Sequence, residues 1–318
     1  MTTVLVSHLY EPIYTNDAFA RYPDVEFVRL ERGAPLPEAV ARASVFLYGG
    51  LEKPQLSALI RAAPKLEWIH TGTAGFDWVM VPEVEQRGLR VSRSAGVMNI
   101  PMAEFAFAAM LDHAKNLRLL REAQRDHRWS PPMHAELYGA TLAVIGAGAI
   151  GERLSRIAAG FEMRTIGIQR NPRATPGYAE MFSPTQLHSV LPQADFVVLT
   201  CPLTPETRGM IDARALHVMK SSAYLVNLAR GGLIVDADLL EALRAGTIAG
   251  ACLDAFEVEP LPADDPLWDA PNLLLSPHCS YRSPMIRHRV VAEFIANFER
   301  YLSGQLLENT MKHATLGY

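Results

Sequence analysis

The chain is poor in several things. Cysteine occurs three times in 318 residues, at Cys201, Cys252 and Cys279, and no two form a Cys-x-x-Cys pair. That spacing excludes a disulfide framework and a structural zinc site. No apolar run approaches the roughly 20 residues a membrane-spanning helix needs. Basic and acidic residues nearly balance, 30 Lys+Arg against 34 Asp+Glu, with no block of one sign. A net charge of −4 argues against a nucleic-acid or membrane-surface partner. The opening residues, Met1 to His8, carry no basic stretch before a long apolar core and read as a buried strand, not a secretory signal. Together these absences point to a cytoplasmic protein. No internal repeat or low-complexity tract is present. Hydrophobic residues make up 49%, enough for an ordinary globular core.

At this length two domains are expected. The first part alternates short strands (Val4–Ser7, Val25–Leu30, Ser44–Tyr48, Leu66–Thr71, Leu89–Ser92) with helical segments such as Pro54–Ala63, a βαβ rhythm that predicts a parallel sheet covered by helices. Pro101–Leu120 reads as one long helix, capped by Asn99 and apolar on more than one face, which suits a core or a subunit interface. A second rhythm follows. Six strands are expected at Thr141–Ile145, Arg164–Gln169, Phe196–Thr200, Ala223–Asn227, Gly250–Asp254 and Leu273–Ser276. Helices fall between them at Gly151–Gly160, Pro184–Val190, Ala213–Val218 and Ala237–Ala245. A last helix, Met285–Leu302, returns the chain toward the first domain. The expected domains are 1–98 with 285–318, and 99–284.

Gly146-Ala147-Gly148-Ala149-Ile150-Gly151 stands between the first strand of this second rhythm and a helix. In that setting Gly-x-Gly-x-x-Gly is a dinucleotide fingerprint: the first glycine makes the turn, the second admits a pyrophosphate, the third packs helix on strand. The N-terminal N–H groups of the helix then face the phosphates. Versions that bind NAD place an acid about 20 residues on. Here that position is Gln169, followed by Arg170 and Arg173. Guanidinium groups suit a ribose 2′-phosphate, so NADP is preferred over NAD, although both arginines also fit a solvated loop.

Polar groups gather beyond three later strands: Asn227 to Gly232, Asp254 to Pro260, and Ser276-Pro277-His278. At the carboxyl ends of successive strands in an open α/β sheet, an Arg, an acid and a His converge on one crevice. Those types suit hydride transfer to a 2-oxo acid. Arginine binds carboxylate and carbonyl oxygens, histidine moves the proton, and a carboxylate supports the imidazolium.

These segments, with Thr71 to Asp77, Asn99 to Glu104 and Pro202-Leu-Thr-Pro-Glu-Thr207, resemble the D-isomer-specific 2-hydroxyacid dehydrogenases, glyoxylate/hydroxypyruvate reductases included, over nearly the whole chain. The resemblance implies an α/β fold: a doubly wound parallel-sheet Rossmann cofactor domain plus a smaller flavodoxin-like α/β substrate domain. It makes Arg230 the substrate-orienting residue, His278 the acid/base and Glu259 its carboxylate partner, with Glu257 the decoy. Asp254 is to hold the nicotinamide carboxamide. Cys201, Pro202, Thr207, Leu228, Ala229 and Met102 border the cofactor, and backbone N–H groups at Ala74 and Gly75 receive the substrate carboxylate. No metal is implied. His8, His70, His113, His127 and His134 read as structural, and Cys201 lacks the surroundings of a nucleophile.

Departures concern the substrate. Cys279-Ser280-Tyr281-Arg282 stands where the family commonly has Ile-Gly and small residues, and Tyr281, like Tyr48, is a candidate pocket residue. With the family-like Gly317-Tyr318 at its end, the chain is expected to lack an appended regulatory domain, and Glu259 stands where formate dehydrogenases have glutamine. The expectation is an NADP-preferring reductase of small 2-oxo acids, cytoplasmic and homodimeric through the Pro101–Leu120 helix. NAD-dependent oxidation of D-2-hydroxy acids and a dinucleotide-sensing, corepressor-like binding protein remain alternatives.

Overall fold

The computed structural model describes residues 1–10, 18–31, 33–73, 76 and 78–311. Contacts divide it into two compact units: residues 1–98 with the segment that begins at Ser283, and Asn99–Arg282.

In the first unit the described strands are β1 (Thr2–Ser7), β2 (Val25–Leu30), β3 (Val45–Tyr48), β4 (Trp68–Thr71) and β5 (Arg90–Arg93). They pair in parallel in the order β2-β1-β3-β4-β5. This is the flavodoxin-like order, with its switch point between β1 and β3. The runs Val4-Leu5-Val6 and Val45-Phe46-Leu47 are buried because both faces of a parallel sheet are covered. Helix α1 (Lys53–Ala62) begins at a Glu52–Gln55 capping box with Pro54 in its first turn, and α2 (Pro82–Gln86) is a short turn of helix. The C-terminal helix Ile286–Leu302 lays Val290, Val291, Phe294 and Phe298 over Val4, Val45, Leu47 and Trp68. His70 is fully buried in β4, its Nδ1 2.8 Å from Ser92 Oγ and its Nε2 3.0 Å from Ser94 Oγ. It is a satisfied core histidine.

The second unit opens with α3 (Asn99–Ala114) and α4 (Leu117–Arg125). The single helix expected over Pro101–Leu120 is thus two. Asn116 adopts left-handed φ 50°, ψ 40°, and ends the run. Asparagine enters that conformation more readily than most residues, and its Nδ2 donates to the Met133 carbonyl at 2.6 Å. Asn99 is the first helical residue and not a preceding cap. Then follow β6 (Thr141–Ile145), α5 (Ala149–Gly160), β7 (Arg164–Ile168), β8 (Glu180–Phe182), α6 (Leu187–Val190), β9 (Phe196–Leu199), α7 (Ala213–Val218), β10 (Tyr224–Asn227), α8 (Asp236–Ala245), β11 (Gly250–Leu253) and β12 (Leu273–Leu275). Pro184–Gln186 forms a 3₁₀ turn, so only the last residues of the helix expected over Pro184–Val190 are α-helical.

The described sheet has seven strands and not six, in the order β12-β11-β10-β9-β6-β7-β8, all parallel. The added strand β8 pairs with β7 at the edge. Chain order reverses between β6 and β9, and ligands bind beyond the carboxyl ends at such a reversal. Among the described residues no helix is long and apolar enough to cross a membrane.

Candidate active site

Gly146 closes the turn after β6 at φ +104°. A Cβ there would lie 2.4 Å from Cys201 N, so only glycine lets the turns after β6 and β9 touch at the switch point. The N–H groups of Gly146 and Ala147 both bond Ile168 O, at 2.9 and 3.1 Å, which ties the turn to β7. Gly148 is the N-cap of α5, and space lies open where its Cβ would stand. The first-turn N–H groups of Ala149, Ile150 and Gly151 have no acceptor within the helix and carry its positive dipole end. This cradle fits a pyrophosphate.

Gln169 follows β7, held by its N–H to Phe182 O at 3.0 Å. Its side-chain Nε2 is buried without a hydrogen-bond partner. A donor orphaned at the place where the fold receives the adenosine ribose fits a ribose oxygen or its phosphate. Arg170 and Arg173 are exposed just beyond, and Arg173 borders a cavity of about 680 Å³ with Thr175, Tyr178 and Glu180. The loop after β9 is tied by Thr207, whose hydroxyl donates to Pro202 O at 2.7 Å. The Thr204 hydroxyl on Glu206, at 2.6 Å, holds that carboxyl below its usual range, with a smaller contribution from the Arg170 charge. Burial pushes the Cys201 thiol up to about 11, so it stays protonated and is no nucleophile. Leu228 and Ala229 are buried beyond β10, and Met102 packs from α3 against the core under β6 and β10.

The strand ends assemble the rest. Asn227, fully buried at the end of β10, donates through Nδ2 to Arg230 O at 2.9 Å and accepts Ala229 N–H on Oδ1 at 3.0 Å. Arg230 places one of its five donors, on Nη1, against Ala229 O at 2.8 Å. The next residue, Gly231, lies against the Phe256–Glu257 backbone so closely that a Cβ would stand 2.0 Å from Phe256 C. Phe256 N–H in turn bonds Glu259 Oε1 at 2.9 Å. The arginine loop and the glutamate are therefore locked together through backbone. The other oxygen of Glu259, Oε2, lies 2.8 Å from His278 Nδ1. Glu257 turns away to pair with Arg208 at 2.7 Å.

His278 sits at φ +49°, a strained backbone for a residue other than glycine. Asp254, 1% exposed at the end of β11, holds it there. Its Oδ1 accepts from Ser276 Oγ at 2.6 Å, Cys279 N at 2.8 Å and Ser280 N at 3.1 Å. Residues on both sides of His278 thus hang from one carboxylate. The Tyr281 ring stands edge-on to the imidazole, centroids 6.2 Å apart. Asn227, Ser276 and Ser280 were singled out by no role in the sequence. The available signal was a polar side chain at the end of an apolar strand, or next to a candidate histidine.

The remaining sites belong to the first unit. Tyr48 is 4% exposed and its hydroxyl lies 2.9 Å from Leu51 O and 3.2 Å from Trp78 O. That engagement ties the Tyr48 ring to the segments around Leu51 and Trp78. Ala74 and Gly75 lie outside the described residues, as does Asp77.

Comparison with known proteins agrees with this geometry. Residues 107–280 match the model of the D-isomer specific 2-hydroxyacid dehydrogenase NAD binding domain. A glyoxylate reductase of Korarchaeum cryptofilum is 36% identical over 265 residues, 81% of this chain and 80% of that one. A solved D-isomer specific 2-hydroxyacid dehydrogenase family protein from Aeromonas salmonicida superposes with a TM-score of 0.86 at 30% identity, covering 98% of this chain and 99% of the other. The NADPH-dependent glyoxylate/hydroxypyruvate reductase of Sinorhizobium meliloti, solved with NADP and sulfate, superposes with a TM-score of 0.84 at 27% identity over the whole of both chains. Fold, strand-end constellation and these matches agree: the chain belongs to the D-isomer specific 2-hydroxyacid dehydrogenase family.

Proposed function

We propose that this enzyme reduces small 2-oxo acids, glyoxylate and hydroxypyruvate first, to D-2-hydroxy acids, with NADP preferred over NAD. The observation that carries the reading is the 2.8 Å contact between His278 Nδ1 and Glu259 Oε2 within a dehydrogenase fold. The substrate class is supported by the relatives named above, a glyoxylate reductase and a glyoxylate/hydroxypyruvate reductase.

The α5 N-terminus and Gly146–Gly151 hold the pyrophosphate, Gln169 with Arg170 and Arg173 the 2′-phosphate, and Asp254 the carboxamide. The bound nicotinamide supplies the hydride that reaches the substrate's carbonyl carbon. Arg230 fastens the substrate through charge-assisted bonds to its carboxylate and carbonyl oxygens. Ala74 and Gly75 offer backbone N–H groups to the carboxylate, and the Tyr281 ring limits the space beside the imidazole. Protonated His278 bonds Glu259 through Nδ1–H and releases the proton on Nε2 to the carbonyl oxygen, which becomes the hydroxyl. Neutral imidazole remains, still bonded to Glu259.

A homodimer is the proposed assembly. Leu119, Leu120, Trp129 (101% exposed) and Met133 (91% exposed) are exposed apolar side chains on the segment after α3, of the kind a partner subunit covers. The free thiols Cys201, Cys252 and Cys279 suit a reducing, cytoplasmic setting.

The test is steady-state oxidation of NADPH and of NADH with glyoxylate, hydroxypyruvate, pyruvate and phenylpyruvate. Turnover with NADPH that drops about tenfold or more in Arg170→Ala, with NADH turnover unchanged, is the expected result, since each 1.4 kcal/mol of a lost charge-assisted bond is a factor of ten. Better turnover with NADH would remove the 2′-phosphate reading, and cofactor binding without turnover on any keto acid would remove the enzyme.

A further inference from the structure

The chain passes between the two units twice, after Met98 and after Arg282. Both passages meet one helix. The second runs through Ser283–Met285 straight into the C-terminal helix at Ile286. The first is gripped by that helix: Arg289 Nη1 donates to Val97 O at 3.3 Å, and Glu293 Oε2 accepts from Ala95 N at 3.1 Å. Residues four apart share a helix face, so the two side chains hold the departing segment together. Glu293 also accepts from Gly96 N–H and from the Ser94 hydroxyl, although burial pushes its carboxyl above the ordinary range.

A buried row of hydrogen bonds stands behind that carboxylate, and its direction is fixed at both ends. Trp68 Nε1–H, which can only donate, lies 2.8 Å from Ser92 Oγ. Ser92 Oγ lies 2.8 Å from His70 Nδ1, and His70 Nε2 lies 3.0 Å from Ser94 Oγ. A carboxylate can only accept, so Ser94 gives its proton to Glu293 and takes the one on His70 Nε2. Burial holds His70 down to about 3, so the ring is neutral and its Nδ1 accepts from Ser92. Trp68, His70, Ser92 and Ser94 are all buried. Every donor in the row points toward Glu293, and each bond polarises the next. The core of the first unit thus anchors the one carboxylate that holds the segment leaving for the second.

We propose that Glu293, supported by Arg289, is a positioning residue: it fixes the Ser94–Val97 segment where the chain leaves the first unit, and so governs how well groups from the two units serve one substrate. The inference rests on the proposed reduction, in which Ala74 and Gly75 come from one unit and Arg230 and His278 from the other.

The test is steady-state reduction of glyoxylate, or of whichever 2-oxo acid wild type turns over fastest, by wild type, Glu293→Ala, Glu293→Gln and Arg289→Ala. Dinucleotide affinity is titrated without the oxo acid, and hydrogen exchange is followed over residues 95–98. Residues that set a crossing between units change kcat and KM together. Glu293→Ala should raise KM and lower kcat, with kcat/KM down about tenfold. Glu293→Gln keeps one acceptor and Arg289→Ala loses one bond, so each should lose about threefold. Dinucleotide affinity should stay within about twofold of wild type, and exchange at 95–98 should quicken in Glu293→Ala. Wild-type kcat and KM in all three variants, whatever their melting temperatures, overturns the inference and makes Glu293 a scaffold residue. A matching loss of dinucleotide affinity also overturns it, because the effect would then lie in the cofactor unit. Wild type that turns over no 2-oxo acid removes the proposed reduction instead. The grip is then judged by exchange alone: quickening confined to 95–98 upholds it, and the wild-type rate there overturns it.

Discussion

Glu259 offers the most informative perturbation, because charge and orientation can be removed there one at a time. Its Oε2 receives His278 Nδ1 at 2.8 Å, and both side chains are more than a third exposed. A charge-assisted bond contributes about 1.5–3 kcal/mol, and solvent screening puts this pair at the lower end, about 1.5 kcal/mol. Glu259→Gln keeps an acceptor for Nδ1–H but loses the charge that stabilises the proton-donating imidazolium. Its kcat should fall about tenfold, since 1.4 kcal/mol is one factor of ten. Glu259→Ala also removes the acceptor that orients the ring, and a neutral bond of about 1 kcal/mol lowers kcat by about a further fivefold. The assay is steady-state turnover at saturating cofactor and 2-oxo acid, with NADPH affinity measured separately by fluorescence. Cofactor affinity should hold, because Glu259 reaches the proton donor and not the nucleotide. Wild-type kcat in Glu259→Gln would refute the reasoning, as would a loss confined to cofactor affinity.

Two further outcomes follow from packing and burial. Gly146→Ala sets a Cβ 2.4 Å from Cys201 N at φ +104°; overpacking against backbone plus strain costs on the order of 3 kcal/mol or more, a melting temperature roughly 6–12 °C lower for a unit of this size. An unchanged melting temperature and cofactor affinity would mean the two turns do not touch as described. Burial holds His70 down to about 3 from its ordinary 6.5. Between those values the unfolded chain binds a proton that the folded chain does not, so stability is full above about 6.5 and falls as pH drops, by about 1.4 kcal/mol per pH unit well inside the window. Denaturant unfolding of wild type and His70→Gln between pH 4.5 and 7 should show the shallower slope in the variant. Equal slopes would contradict the burial argument.

Much of this was legible in the sequence because its cues are local and strong. The β6 run Thr141–Ile145 was bounded to the residue, since an apolar strand running into Gly146 leaves little choice of register. Arg230, Glu259 and His278 are readable as candidates because polar groups gather beyond the carboxyl ends of three successive strands, and the family resemblance picks Glu259 over Glu257. What escaped depended on neighbours distant in sequence. The three residues of β8 are too short to show a period, and they become a strand only by pairing with β7. The break at Asn116 carries neither glycine nor proline; it depends on a bond to Met133, 17 residues on. No sequence pattern announces that the Tyr48 hydroxyl is engaged by the Leu51 and Trp78 carbonyls. Ser280 was noticed only as a departure from the family; its burial and its missing partner are properties of the folded turn.

The central claim is that His278 delivers the proton in a hydride transfer to a 2-oxo acid. Its most direct test is NADPH oxidation with glyoxylate by wild type and His278→Asn, with NADPH affinity measured on the same preparations. The account predicts affinity within about twofold of wild type and a turnover rate lower by about 10²–10⁴-fold, the usual contribution of a positioned acid. Turnover within a few-fold of wild type would contradict it.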